Sequence, residues 1–255
     1  MSETVLVTGG PSGIGRAISE RCLARDWTVI AADVSEQVLA EFQGEMSGFC
    51  DRLICRQLDV SDEAAVNALV DGLEAEGHEI TGLVNSAGIG TDIPATETSV
   101  ELFRKVLDVN LIGSFMVARA VARHMIPRGR GSIVNISSIS GMTGNKGRVA
   151  YGSSKAGVLQ MTRVLSTEWA PHGLRVNAVS PGPVETPLVE RMHETSSRKL
   201  WTDRLPMHRY ASPSELSGGV VFLLDGDMSS FVTGQNIAID GGFTTSGILN
   251  PQPAE

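Results

Sequence analysis

The sequence predicts an α/β protein: a doubly wound, seven-stranded, mostly parallel sheet with helices on both faces. Three observations carry that prediction. Short runs rich in Val, Ile and Leu alternate with longer helix-periodic segments along nearly the whole chain, as repeated β-α units on a parallel sheet require. The first apolar run leads into a glycine-rich turn that opens an amphipathic segment, the layout in which such sheets hold phosphates. At 255 residues, 42% hydrophobic and 20% charged, the chain is long enough to bury one large core, and no linker divides it. Residues 1–255 are therefore expected to form a single domain.

Strands are expected near residues 4–8, 28–33, 53–58, 82–85, 131–137, 175–180 and 236–240, with helices in most of the gaps. The first strand runs into Thr8-Gly9-Gly10-Pro11-Ser12-Gly13-Ile14-Gly15. Glycines there let the backbone turn tightly and approach a pyrophosphate, and the following helix, apolar at Ile18, Cys22 and Leu23, presents free N–H groups and the positive end of its dipole. The spacing differs from the general Gly-x-Gly-x-x-Gly fingerprint, and a turn that holds no ligand is the alternative. Asp33 closes the second strand 18 residues beyond Gly15, near the offset at which a carboxylate bonds the adenosine ribose hydroxyls. That charge repels a 2′-phosphate. Ser12 and Val34 nearby are uncharged and Arg16 is the only nearby cation, so NAD is expected rather than NADP.

After the third strand, Asp59-Val60 either brings a carboxylate to the adenine amine or begins the turn that caps the next helix. Ser61 precedes the acidic first turn of that helix, Asp62 and Glu63, and Ser212-Pro213-Ser214-Glu215 reads as a capping box with proline at the first helical position. A long helical segment over 99–125 contains Asn110, a mediocre helix former that often bonds backbone or water instead. The next helix, over 147–170, carries Tyr151 and Lys155 four residues apart and so on one face. An unperturbed tyrosine has a pKa of about 10 and is about one part in a thousand ionised at pH 7; a nearby cation favours the phenolate. Such a pair suits a general base, although many helices carry this spacing by chance. Val158, Leu159, Met161, Leu165 and Trp169 make the same helix apolar over more than one stripe, which points to burial on the sheet and on a second subunit. The sixth strand ends in Ser180-Pro181-Gly182-Pro183-Val184-Glu185-Thr186, which turns the chain across the carboxyl end of the sheet, where these folds bind ligands.

The net charge of -8 argues against sequence-independent binding to nucleic acid or anionic membrane. The N-terminus lacks the basic and apolar regions of a signal peptide, and no apolar run approaches a membrane span. Three cysteines, Cys22, Cys50 and Cys55, have no paired metal spacing and read as reduced structural thiols. A cytoplasmic protein is expected, its partners small molecules and copies of itself, with no metal site.

Asn85-Ser86-Ala87-Gly88, together with the Thr-Gly-x-x-x-Gly-x-Gly loop, Asn110, Ser138, the Tyr151 and Lys155 pair, and Pro181-Gly182 with Thr186, closely resembles the short-chain dehydrogenase/reductase family over essentially the whole chain. Ser86 departs from the family's usual second Asn, and Pro11 is an uncommon choice within the loop. The resemblance implies a Rossmann fold, commonly tetrameric, and an NAD-dependent oxidation of a secondary alcohol such as a sugar, polyol or hydroxy acid, or its reversal. It implies that Tyr151 is the general acid/base and that Ser138, thirteen residues before it and chosen over Ser137 and Ser140, holds the substrate oxygen. Lys155 would bind the nicotinamide ribose and lower the tyrosine's pKa, and Asn110 would support a water leading from the lysine to solvent. The implied cofactor contacts are Gly9, Ser12, Gly13, Ile14 and Gly15; Asp33, Asp59 and Val60; Asn85, Ala87 and Gly88; and Pro181, Gly182, Val184 and Thr186, the last two holding the carboxamide. Residues 187–210 would cover the substrate; their modest basic excess, with His193 among them, fits either a polar or anionic substrate or a solvated helix face. The enzymatic rival is a 3-oxoacyl thioester reductase, for which Arg128 and Arg130 could serve acyl-carrier docking while His172 stands where a stronger cation is often found. A catalytically silent NAD-binding scaffold is the alternative of another class.

Overall fold

The computed structural model describes residues 3–192 and 195–247. Seven strands form one sheet in the order β3-β2-β1-β4-β5-β6-β7: β1 Thr4–Thr8, β2 Thr28–Asp33, β3 Leu53–Gln57, β4 Gly82–Asn85, β5 Gly131–Ile136, β6 Leu174–Pro181 and β7 Asn236–Ile239. Every neighbouring pair is parallel, so "mostly parallel" becomes wholly parallel. Each strand bears side chains alternately on two faces, and each face is apolar. Leu6, Ile30, Leu83, Ile133 and Val176 pack on one side, while Val5, Val7, Val29, Val84 and Val134 pack on the other. Fully burying one such side chain contributes about 1.5–3 kcal/mol.

The helices around the sheet are α1 Gly13–Leu23, α2 Glu36–Glu45, α3 Glu63–Ala75, α4 Val100–Leu107, α5 Ser114–Arg128, α6 Val149–Trp169, α7 Pro187–Met192, α8 Thr195–Arg204 and α9 Pro213–Leu224. Their starts carry local signals. Asp62, rather than Ser61, caps α3, its carboxylate accepting the N–H groups of Ala64 and Ala65 at 2.9 and 3.1 Å; Ser61 is occupied by Asp59. Glu215 accepts the Ser212 N–H at 2.8 Å and ties down the start of α9.

The helix expected over 99–125 is broken. Between α4 and α5 the chain widens into a π-helical turn at Asp108–Gly113, a form that is frequent at functional sites. Its cause is tertiary. A Cβ on Gly113 would lie 2.9 Å from the Val60 carbonyl oxygen, so the loop after β3 presses directly on this turn. On α6, Val158, Leu159 and Leu165 are buried, and Met161 and Trp169 pack against the same core. Met161 and Trp169 keep part of their surface exposed in the single chain. Among the described residues no helix is long and apolar enough to cross a membrane. His193 and residues 248–255 lie outside the described residues.

Candidate active site

Strand order reverses between β1 and β4, and at the carboxyl ends of the strands this opens a cavity of about 1250 Å³. Such a switch point is where open α/β sheets bind ligands. One end is built mostly from backbone. Gly9 leaves β1 at a φ of 65° with its N–H on the Ala32 carbonyl at 2.8 Å, and a Cβ there would meet the Ala87 backbone at 3.1 Å. Ser12 stands at the N-cap of α1 but makes no side-chain bond to the first turn. Gly9, Ser12, Gly13 and Ile14 all line the cavity. Gly15 does not, contrary to expectation: a Cβ there would lie 2.1 Å from the Gly9 carbonyl oxygen, so this glycine closes the loop onto its own helix. The Thr8 hydroxyl accepts the N–H groups of both Ser86 and Ala87 at 3.1 Å, locking the loop after β4 to the loop after β1. Thr8 was legible only as part of the glycine motif.

Asp33 and Val34 line the far end of the cavity, and the Asp33 carboxylate accepts the Ser35 N–H at 3.0 Å. Arg16 is held by Glu20 at 2.8 Å and Glu45 at 2.6 Å. Asp59 and Val60 border the same end. Asp59 accepts the Ser61 hydroxyl at 2.6 Å and its N–H at 2.9 Å, bonds that lower the carboxyl pKa. It therefore begins the turn and faces the cavity at once, so the two alternatives were not exclusive.

Asn85 does not line the cavity. Its amide donates to the Ser114 carbonyl at 3.0 Å and to Asn135 Oδ1 at 2.9 Å, its partner in the β4–β5 register. A strand-end side chain can point into the sheet's flank as readily as toward its mouth, and here the flank holds polar partners. The following Ala87 and Gly88 do line the cavity, as do Pro181, Gly182, Val184 and Thr186 from the turn after β6, with Leu188 and Val189 of α7 beside them.

The other end is built from side chains. Ser138, Tyr151 and Lys155 border the cavity together. Of the three serines after β5, Ser137 donates to the Lys155 carbonyl at 2.9 Å and Ser140 accepts from Asn145 at 3.3 Å. Ser138 Oγ accepts the Ser140 N–H at 3.1 Å and its hydroxyl bonds the Tyr151 phenol. Lys155 Nζ donates to the Ile136 carbonyl at 2.8 Å and lies 5.8 Å from the centre of the Tyr151 ring. Asn110 is fully buried, which excludes a surface role. Its side chain accepts the Ile89 N–H at 2.8 Å and donates to the Ile89 carbonyl at 2.9 Å and to Ser154 Oγ at 3.0 Å. A Cβ on Gly88 would sit 3.1 Å from Asn110 Oδ1 and 3.6 Å from Lys155 Nζ, so both side chains pack closely against this turn.

The electrostatics differ from the expectation that Lys155 lowers the tyrosine's pKa. Burial pushes the Tyr151 phenol up, against the pull of the Ser138 hydroxyl and the Arg148 charge, and burial pushes Lys155 down to about 8. In the protein alone, desolvation outweighs the neighbouring cation. Arg148, which the sequence reading passed over, is 6% exposed and places its guanidinium 5.9 Å from the Tyr151 ring centre. Arg128 and Arg130, just before β5, and His172, just before β6, lie at the amino ends of the strands, away from the cavity, and the two arginines are paired with Glu74 and Glu79. They do not flank its mouth.

Taken together, the geometry is that of a dinucleotide site joined to a Ser-Tyr-Lys group, and sequence comparison agrees. A family model described as enoyl-(acyl carrier protein) reductase matches residues 9–244. The chain is 39% identical over 237 residues to a 3-oxoacyl-[acyl-carrier-protein] reductase of Thermotoga maritima, covering 93% of this chain and 96% of that protein. It is 37% identical to 2-(R)-hydroxypropyl-CoM dehydrogenase of Xanthobacter autotrophicus, covering 96% and 99%, and 38% identical to galactitol 2-dehydrogenase of Rhizobium johnstonii, covering 95% of each. The solved structure of ElxO with NADP bound superposes with a TM-score of 0.91 at 30% identity, covering 96% of this chain and 100% of that one. The chain belongs to the short-chain dehydrogenase/reductase family. Positive-φ glycine at Gly9, a helix N-terminus without a side-chain cap and Asp33 at the far end of one continuous cavity fit the nicotinamide dinucleotide that this family uses.

Proposed function

We propose that this protein is an NAD-dependent oxidoreductase interconverting a secondary alcohol, such as a sugar, polyol or hydroxy acid, and its ketone, with Tyr151 as general acid/base. The observation that carries the proposal is the meeting of Ser138, Tyr151 and Lys155 on the wall of the cavity that begins at the glycine turn. The dinucleotide, when bound, supplies the hydride acceptor or donor. Tyr151 takes the alcohol's hydroxyl proton in oxidation and returns it in reduction, while Ser138 donates to the substrate oxygen as charge develops there. Lys155, anchored by the Ile136 carbonyl, holds the ribose. Asn110, fixed between Ile89 and Ser154, supports the proton path from the lysine to solvent. Residues 187–210 act as a lid, which Leu188 and Val189 on the cavity wall support. Tyr151→Phe is expected to abolish turnover in an NAD-linked screen of polyols, sugars and hydroxy acids while leaving NAD binding intact; substantial residual turnover refutes the assignment.

NAD is favoured over NADP because Asp33 lines the ribose end and Arg16 is engaged by two glutamates. Asp33→Asn is expected to narrow the NAD to NADP ratio of Kd values about tenfold, the loss of a charge-assisted bond. Free thiols at all three cysteines fit a cytoplasmic setting, and a homotetramer is expected from the family, with a monomeric mass by light scattering as the contrary result. The rival, a 3-oxoacyl thioester reductase, is favoured by the similarity to the Thermotoga maritima enzyme. Assaying NADH and NADPH with an acetoacetyl thioester separates the two: brisk NADPH-dependent reduction selects the rival.

A further inference from the structure

Three charged or ionisable side chains recur on one face of α6 and the residue that leads into it: Arg148, Tyr151 and Lys155, at spacings of three and four. Both cations lie close to the phenol, with the Arg148 guanidinium 5.9 Å and the Lys155 ammonium 5.8 Å from its ring centre. We infer that Arg148 is a positioning residue for the acid/base chemistry, a second buried cation that favours the Tyr151 phenolate. The inference rests on the reading of Tyr151 as the acid/base.

The surroundings of Arg148 decide how much of its charge the phenol feels. From the loop after β4, Asp92 approaches the guanidinium at 3.6 Å, but the Asp92 side chain is 46% exposed and that of Arg148 is 5% exposed. Water screens the carboxylate more than the guanidinium, so the pair presents a net positive field toward the protein interior. From the end of α7, Met192 brings only its sulfur, 3.6 Å from the guanidinium. Beyond α8, Tyr210 is buried and its phenol is pushed up to about 12, mainly by burial. Arg198 lies over the Tyr210 ring at 4.4 Å and is itself paired with Glu185. Ser138 faces the phenol from the turn after β5 and lowers its pKa, as Arg148 does. Lys155 differs from Arg148 in one respect. Burial brings the lysine's titration to about 8, whereas a guanidinium keeps its charge throughout the working range. Above that pH, Arg148 is the cation of the two that persists.

The chain contains two tyrosines, Tyr151 and Tyr210, so Tyr151 can be titrated directly. In protein labelled at tyrosine Cζ with carbon-13, carrying Tyr210→Phe and saturated with NAD or NADP, a single resonance reports the ionisation of Tyr151. Arg148→Met is expected to raise its midpoint by about 1 pH unit, the usual effect of removing a charge at this range. Arg148→Lys should restore most of the shift. Asp92→Asn should move the midpoint the opposite way, by a smaller amount because that carboxylate is half in water. General damage to the fold does not produce opposite signs from neighbouring substitutions, so the inference stays testable even if Arg148→Met folds poorly. The alkaline limb of kcat should follow the same order. A midpoint that ignores both Arg148 and Asp92 overturns the inference, as does a change confined to KM for a hydroxy acid with none for a neutral polyol, which would make Arg148 a substrate contact. Turnover surviving in Tyr151→Phe would instead refute the acid/base reading itself, so the two failures are distinguishable.

Discussion

The two ends of the cavity are built by different means. Where the glycine turn meets α1, the surface is mostly backbone, Gly9 and the first turn of α1, with the Thr8 hydroxyl fastening the neighbouring loop. At the other end it is side chains, brought from the turn after β5, from α6 and from the π-helical turn before α5. The first rests chiefly on one short stretch of backbone, Gly9 to Ile14, which Thr8 then fastens to the loop after β4. The second exists only when segments more than 40 residues apart close on each other, as Asn110 and Ser154 do. Substitutions should therefore separate the ends: damage at one costs chemistry with the dinucleotide still bound, and damage at the other costs the dinucleotide.

The largest effect is expected at the side-chain end. Ser138→Ala should lower kcat by about 10²–10³, the usual cost of one preorganised donor to a developing oxyanion, while the dinucleotide Kd measured by fluorescence titration stays within twofold or so of the parent, since a hydroxyl aimed at substrate adds little to cofactor binding. Next is Gly15→Val. Its Cβ meets the Gly9 carbonyl oxygen, so the turn must shift; overpacking of this kind costs about 1–3 kcal/mol, and dinucleotide affinity should fall at least about tenfold, since each 1.4 kcal/mol is a factor of ten. If Gly15→Val binds normally, the backbone end is more pliable than its geometry indicates. Asn110→Ala tests the junction between the two ends. It strips the Ile89 N–H and carbonyl of their partner, which for buried groups costs about 1–3 kcal/mol, and urea denaturation should register that loss alongside the fall in kcat.

What was legible in the sequence follows the same division. All seven strands lie within one or two residues of their expected limits because each is a short apolar run bounded by turn residues, a purely local signal. The glycine turn and Asp33 were equally local. The break at Asp108–Gly113 was not, because helical periodicity continues through it; its causes, Val60 against Gly113 and Ile89 against Asn110, lie about 50 and 20 residues away. Spacing fixes the position of Asn85 but not the direction in which a strand-end side chain points, and its amide turns to Ser114 and Asn135. Arg128, Arg130 and His172 fell at the wrong end of the sheet for a similar reason, since whether a residue precedes or follows a parallel strand decides which rim it occupies. Arg148 is local, three residues before Tyr151 and on the same face as Lys155, yet a lone arginine at a helix start carries no signal of its own until the fold buries it beside the phenol.

The smallest expected effect is also the one most particular to the side-chain end, since burying an ammonium carries a cost that a backbone cradle avoids. In the protein without dinucleotide, Lys155 titrates at about 8 against 10.5 for a free lysine. Below about pH 8 both folded and unfolded chains carry the charge, and the folded state bears the full penalty of burying it. Between 8 and 10.5 the folded state has released the proton that the unfolded chain still binds, so the contribution of this residue to stability rises with pH. Lys155→Met has nothing to titrate there. Its Tm relative to the parent should therefore be highest below pH 8 and decline toward pH 10.5, groups common to both proteins dropping out of the difference. A Tm difference that is flat across that window would mean that the Ile136 carbonyl and the surrounding cavity solvate the ammonium as well as water does, and the contrast between the two ends would then lie in geometry alone.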